Sequence, residues 1–281
     1  MSDQSHAQAV RDALNERFGE TVAVDPGLAG LDELARIAGH RTHRRYTDRA
    51  VDADLLRLLC ACALSAPSKT DLQQADILIV NDAAKRGAIA DLLPDQPHVR
   101  LAPAFLIFLA DGRRFRELFA LRERPFVNDH LDAFFNPAVD AALVLATFLR
   151  AAEAVGLGTC PISVIRDHAA TISTLFELPD RVVPVSGLCL GWPADTPPIT
   201  PRLGLDLTVH EDRYDDRDFA TRLAASDRRR AERLPYRRQR DVDRWGSAPD
   251  YGWSEDKARQ YATPQRADFG TFVRGKGFRL E

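Results

Sequence analysis

The sequence is sparing with thiols, with long apolar runs and with the short signatures that mark common enzyme classes. Its 281 residues hold four cysteines, Cys60, Cys62, Cys160 and Cys189, each in apolar context. Cys60-Ala-Cys62 has no second pair at zinc-type spacing. The thiols therefore read as small buried residues of a cytosolic protein, not as a disulfide framework or a metal site. No apolar run approaches the ~20 residues that a bilayer-crossing helix needs, so no membrane partner is expected. The opening MSDQSHAQAVRDALNE is polar and acidic, without the apolar centre of a secretion signal, and a cytoplasmic location is expected. No GxGxxG follows a strand and no GxxxxGK(S/T) loop is present. VSGLCLG fails as a GxSxG elbow. His210-Glu211 opens like HExxH, but Tyr214 stands where the second histidine belongs. Hydrolase, P-loop and zinc-protease chemistry all lack support, and no metal is expected.

What is present is an ordinary soluble composition, with 45% hydrophobic and 28% charged residues and a net charge of −3. That charge is unevenly spread. From Arg213 onward, seventeen Lys and Arg face twelve Asp and Glu, leaving the rest of the chain acidic. A basic tail on an acidic body can attract nucleic acid, an anionic small molecule or a partner subunit.

Periodicity predicts a helix within 26–40, carried by Leu31, Leu34, Ala35 and Ala38. A second is predicted over 52–65, with Asp52 as N-cap. SAPSKTDLQQ reads as a loop. ADILIVN and APAFLIFLAD read as strands, with DAAKRGAIADLLP as the helix between them. NPAVDAALVLATFLRAAEAVGLG predicts a helix capped by Asn136, with Pro137 in its first turn and Gly156 as its stop. It is apolar on nearly all sides, which predicts burial all round, and its many alanines allow another helix to approach closely. TCPISVI and VVPVSGLCLGWP read as strands flanking a helix at 167–178. PADTPPITPRL is an extended proline-rich loop. DFATRLAASDRRRAERL is helical in composition. The aromatics Tyr236, Trp245, Tyr251, Trp253 and Tyr261 beyond it need a surface to bury against. Helices with few strands and no βαβ fingerprint give an α+β class.

One stretch, GHRTHRRYTD at 39–48, concentrates Arg and His with no aliphatic side chain. Alone it reads as a solvated segment. Together with APSKTDLQQADILIV, DQPHVRLAPAFLIFLAD, AAEAVGLGTCPIS and GLCLGWPADTPPITPRLGLDLTVHEDRY, it resembles the flavin-dependent nitroreductase family. The resemblance is greatest to the oxygen-insensitive, NADPH-using nitroreductase A group. The segments stand in family order from 39 to 214, and GLCLGWPAD followed by PRL and VHExxY is specific to that group.

The resemblance implies a nitroreductase-like α+β fold, a central mostly antiparallel sheet flanked by helices, and a homodimer with FMN at the interface. It divides the chain into an extension at 1–30, an FMN-binding domain at 31–214 and an Arg- and aromatic-rich extension at 215–281 that wraps the partner. FMN contacts fall on His40, Arg41, Thr42 and Arg44, and the guanidinium groups of Arg41 and Arg44 suit a phosphate dianion. They also fall on Ser68, Gln73, Gln96, His98, Ile162, Ser163, Val164, Thr200 and Arg202. Thr70, Asp71 and Arg237 are placed at the substrate.

The implied chemistry is a two-electron ping-pong cycle. NAD(P)H, with NADPH as the expected donor, reduces the flavin, which then reduces a small-molecule acceptor such as a nitroaromatic or a quinone. Ser163 is the catalytic position, through its backbone N–H at flavin N5, and Arg44 or Gln96 serves the N1–O2 side.

This sequence departs from the family pattern in three places. Ser163-Val164 stands where relatives carry Gly-Gly, Thr200 where they carry Lys, and Asp71 where Asn is common. A non-catalytic flavin-binding or regulatory protein is the alternative that the first two changes leave open. The arginines Arg228, Arg229, Arg230, Arg233, Arg237, Arg238 and Arg240 admit a solvated helix face, capture of the NADPH 2′-phosphate, or contact with a partner subunit. Without an RNA-binding signature, nucleic acid is not an expected partner.

Overall fold

The computed structural model describes residues 3–281. In chain order the elements are α1 (Asp3–Phe18), α2 (Leu31–Ala38), α3 (Ala53–Leu64), β1 (Ala75–Ile79), α4 (Ala83–Leu92), α5 (His98–Leu101) and β2 (Ala104–Asp111). Then come α6 (Arg113–Leu121), α7 (Asp132–Ala154), β3 (Gly158–Ile162), α8 (Ala169–Leu175), β4 (Val182–Gly191), α9 (Leu205–Thr208), α10 (Phe219–Arg233), α11 (Val242–Trp245), α12 (Trp253–Tyr261) and α13 (Phe269–Gly275). The chain forms two compact units. One holds the residues up to Arg41 together with Pro198–Gln265, and the other holds Thr42–Pro197 with Arg266–Glu281. They cut across a linear division into 1–30, 31–214 and 215–281.

The second unit is built on a four-stranded sheet in the order β1-β2-β4-β3, antiparallel at every pairing. Side chains alternate faces along a strand, and β2 shows it. Phe105 and Ile107 join Ile89, Val99, Ile165 and Ile172 on one face, while Leu106 and Phe108 join Leu59, Val144 and Phe148 of α3 and α7 on the other. Both faces are covered, which is why APAFLIFLAD is apolar throughout and not alternating. Val273 and Phe278, near the C-terminus, close a third cluster with Ala110, Ala133 and Val183. This is the expected α+β architecture.

Local signals explain most boundaries. The Asp52 side chain accepts from Asp54 and Leu55 N–H, and Asp82 does the same for Ala84 and Lys85, so both cap helices. The long helix differs from expectation. α7 starts at Asp132, not after Asn136, because the carbonyls of His130 and Leu131 already accept from Ala133, Phe134 and Phe135. Pro137 thus lies inside the helix. Nor is α7 buried all round, since Phe135, Val139 and Leu143 are exposed in the chain. Its length and composition would suit a membrane span, but Phe148 and Val144 seat it on the sheet. TCPISVI also stops short as a strand. β3 ends at Ile162, and Ser163–His168 form a 3-10 turn tied down by Arg166 Nη1 donating to the Val185 carbonyl at 2.8 Å.

In the first unit α1 occupies much of the low-information start of the chain. Ala13 packs there with Ala38 and Ile199. The tail is organised around buried polar groups. Asp256 accepts from Tyr251 Oη at 2.9 Å and Arg240 Nε at 3.0 Å. Buried Arg259 donates to the carbonyls of Arg240 and Gly246 at 2.8 and 2.9 Å. Tyr236 and Tyr251 meet edge to face, which answers part of the tail's demand for an aromatic surface.

Candidate functional site

Residues 42 and 43 lie along the free edge of β3, and 46 and 47 reach the chain just past β4. Thr42 forms a parallel bridge with Thr159, His43 N–H donates to the Thr159 carbonyl at 2.8 Å, and Tyr46 bridges Pro193. The approach is close because Gly158 has no side chain, and a Cβ there would lie 2.7 Å from His43 Cγ. His43 is thus a packing residue. Arg44 is left exposed, with its guanidinium against Cys160.

His98 is 6% exposed, with Nε2 3.5 Å from Cys160 Sγ. Burial, and then the charge of Arg44, holds its imidazole below the ordinary histidine range. At neutral pH it is uncharged, so it adds no cation for a phosphate. Cys160 and Cys189 stand opposite each other on β3 and β4. Burial pushes both thiols up, and Arg44 partly offsets this.

At the end of the same strand Ile162 is buried, Val164 half-buried against the core, and Ser163 exposed. Ser163 opens the 3-10 turn, where the first N–H groups have no partner inside the turn. Gln96 is half-buried, its backbone closing the turn from Leu93 into α5.

The Ala66–Gln74 loop forms a cleft of about 530 Å³ with Asp76, Arg114, Asp140 and Val144. Its anchor is Asp140, 2% exposed on α7, which accepts from Ser68 Oγ at 2.8 Å, Lys69 N–H at 3.1 Å and Gln74 N–H at 3.3 Å. Ser68 Oγ also accepts from Gln73 N–H, so its hydroxyl is engaged within the loop. Thr70, Asp71 and Gln73 all adopt positive φ, at 51°, 57° and 53°. Three non-glycine residues in the left-handed region within four positions are strained, and the Asp140 bonds hold them there. Asp71 and Gln73 are exposed and hydrogen-bond each other. Arg114 donates to the Gln73 carbonyl and to Asp76, whose carboxyl is raised by burial and by its hydrogen bond with Asp111.

The strand order decides which of these residues one copy of the unit can bring together. Thr42, Arg44, His98 and Ile162–Val164 gather at β3, whereas Ser68, Thr70, Asp71 and Gln73 lie before β1 at the opposite edge. Three strand intervals of about 4.8 Å separate the two edges, roughly 14 Å.

In the other unit, the His40 carbonyl accepts from Arg17 Nη2 at 2.6 Å. Arg41 Nη1 donates to Gly39, and its Nε is buried with no partner. Thr200 and Arg202 are exposed and held through their backbones by Arg17. Arg237 is exposed beside Arg238 and Arg240 in a cleft of about 710 Å³.

These residues fit the FMN that the resemblance implies. Arg41 has an orphan guanidinium nitrogen, Arg44 an exposed one, and the donors are of the kind a phosphate and a flavin ring nitrogen accept. Two structural residues escaped the sequence reading. Asp140 carried a signal, a lone carboxylate in an apolar helix. Arg17 carried none, since one arginine in a polar helix looks like any other.

Comparison with known proteins places the chain in a family. The nitroreductase family pattern matches residues 37–192, and that of the nitroreductase family C-terminal domain matches 200–281. An FMN reductase [NAD(P)H] of Bacillus subtilis is 32% identical over 253 residues, covering 88% of this chain and 98% of the relative. An oxygen-insensitive NADPH nitroreductase of Salmonella typhimurium is 36% identical over 182 residues, covering 65% and 74%. The solved structure of NfrA2 from B. megaterium superposes with a TM-score of 0.80 at 33% identity, covering 89% of this chain and 99% of that one. The chain belongs to the nitroreductase family.

Proposed function

We propose that this protein is an FMN-dependent oxidoreductase that draws two electrons from NAD(P)H and passes them to nitroaromatic, quinone or related acceptors. The relatives named as FMN reductase and NADPH nitroreductase support the reading. The observation that carries it is the β3 edge. There the exposed guanidinium of Arg44 and the open backbone N–H of Ser163 are presented by one five-residue strand and its flank, beside a neutral His98.

Bound FMN supplies the hydride chemistry itself. As the resemblance implies, Arg41, Arg44 and Arg202 would hold the phosphate, with His40 and Thr42 contributing beside the first two. The Ser163 N–H would be the catalytic donor, offering a hydrogen bond to a ring nitrogen of the flavin. Arg44 or Gln96 would supply a donor to the N1–O2 side of the flavin. Ile162 and Val164 would line one side of the ring. Thr70 and Asp71 line the substrate mouth, where the carboxylate disfavours anionic acceptors. Arg237 and its neighbours offer cations to the 2′-phosphate of NADPH, the expected donor. No side-chain acid is required.

The opposite-edge placement of the Ser68–Gln73 loop supports a homodimer in which each copy lends that loop to its partner's cofactor. We assign residues 1–30 as an extension, 31–214 as the FMN domain and 215–281 as the arm that embraces the partner, in a cytoplasmic enzyme. Purified protein is expected to be yellow and to bleach anaerobically on addition of NADPH. Colourless protein would overturn the flavin reading, and yellow protein that does not bleach would overturn the enzymatic one.

A further inference from the structure

We propose that Arg17, in the N-terminal extension, is a positioning residue that sets the phosphate-binding arm by joining His40–Arg41 to Thr200–Arg202. The inference rests on the FMN reading above. Arg17 is 7% exposed at the end of α1. Its Nε and Nη2 donate to the Ala38 carbonyl at 3.2 and 3.0 Å, Nη2 also to His40 at 2.6 Å, and Nη1 to Thr200 at 3.3 Å. Its own carbonyl accepts the Arg202 N–H at 2.7 Å. One residue thereby fixes the backbone of two segments about 160 positions apart in sequence.

The geometry requires a guanidinium. Carbonyls on different chain segments are met by separate arms of a planar fork, which a lysine ammonium cannot reproduce. Ala38 ends α2, so its carbonyl is among those a helix leaves unpaired, and a cation there also complements the helix dipole. In a trans peptide the N–H points opposite to the C=O. Turning the His40 carbonyl toward Arg17 therefore turns the Arg41 N–H to the other side, available to an anion. The charge also stands behind Thr200, the position where the family resemblance has lysine.

α1 is seated to do this. Ala13 packs on Ala38 and Ile199, the Leu205 N–H donates to Glu20 Oε1 at 3.0 Å, and Arg233 donates to the Asn15 carbonyl. The extension is thus built into the unit that carries His40, Arg41, Thr200 and Arg202.

The test compares a flavin with a phosphate to one without. Protein stripped of flavin is titrated with FMN and with riboflavin, following flavin fluorescence, for the unmodified chain, Arg17→Met and Arg17→Lys. Arg17→Met is expected to weaken FMN binding about tenfold or more, the scale of one charge-assisted hydrogen bond, while riboflavin binding changes less than about twofold. Arg17→Lys is expected to fall between. Equal shifts for both flavins would reduce Arg17 to a general structural role, and no shift would remove it altogether. Unmodified protein that binds neither flavin would defeat the FMN reading instead. Should both variants fail to fold, hydrogen exchange on the unmodified chain carries the same test. FMN is expected to protect residues 13–19 and 198–203 more than riboflavin does, and equal protection overturns the proposal.

Discussion

Asp140 shows how much one side chain can organise. Three donors from the 68–74 loop converge on a carboxylate that is 2% exposed. Removing it leaves buried donors unsatisfied, at about 1–3 kcal/mol each, though the loop can relax toward water. Asp140→Ala is therefore expected to destabilise the protein by about 3 kcal/mol, read from urea unfolding. Ser68→Ala deletes only the hydroxyl and should cost about 1 kcal/mol. Equal effects would show that the backbone donors gain nothing from Asp140.

His98 makes a different prediction. Its folded-state pKa lies below the unfolded value of about 6.5, because burial and Arg44 disfavour the charged ring. As pH falls, the unfolded chain takes the proton first. The stabilisation is thus complete above about pH 6.5 and lost below it. Thermal unfolding of His98→Gln should decline less than the wild type between about pH 7 and 5, and parallel curves would rule the titration out. The family resemblance implied a site role for His98, but not that it is a neutral, buried residue. That follows from its burial and the nearby Arg44, which only the packing of distant segments creates.

At the scale of elements, legibility followed locality. The Asp52 and Asp82 caps and the apolar length of β2 depend on neighbours in sequence and could be read directly. The start of α7 depends on the His130 and Leu131 carbonyls, and proline's preference for a first turn pointed to the wrong residue. The edge formed by residues 42 and 43 on β3 was out of reach, because it rests on a glycine more than a hundred residues away. That glycine is testable. In Gly158→Ala the new Cβ would lie 2.7 Å from His43 Cγ, so the ring or the Thr42–Thr159 bridge must give way. Overpacking of this kind costs about 1–3 kcal/mol. Flavin content is expected to fall together with Tm, because Arg44 is carried by the displaced segment. A variant with lower Tm but full flavin content would separate Arg44 from the edge that holds it.

At the scale of the whole molecule, α7 offers an exposed apolar face that suits a second copy. Phe135, Val139 and Leu143 recur every four residues on its exposed side, with Ala142 and Ala146 among them. Such a stripe faces one direction, and its small residues permit the close approach of another helix. The buried flank of the same helix carries Asp140, which holds the Ser68–Gln73 loop at the edge of the sheet away from Arg44. A second copy seated on this face would cover the apolar stripe and, by symmetry, could exchange the two loops. Leu143→Arg discriminates between the alternatives. In a monomer the residue is exposed, and the change should alter stability by no more than about 0.5 kcal/mol. In the dimer it buries an unpaired charge. The expected outcome is a monomer in sedimentation velocity that has lost its flavin while keeping its far-UV circular dichroism. A Leu143→Arg protein that stays dimeric and yellow would place the interface on another face.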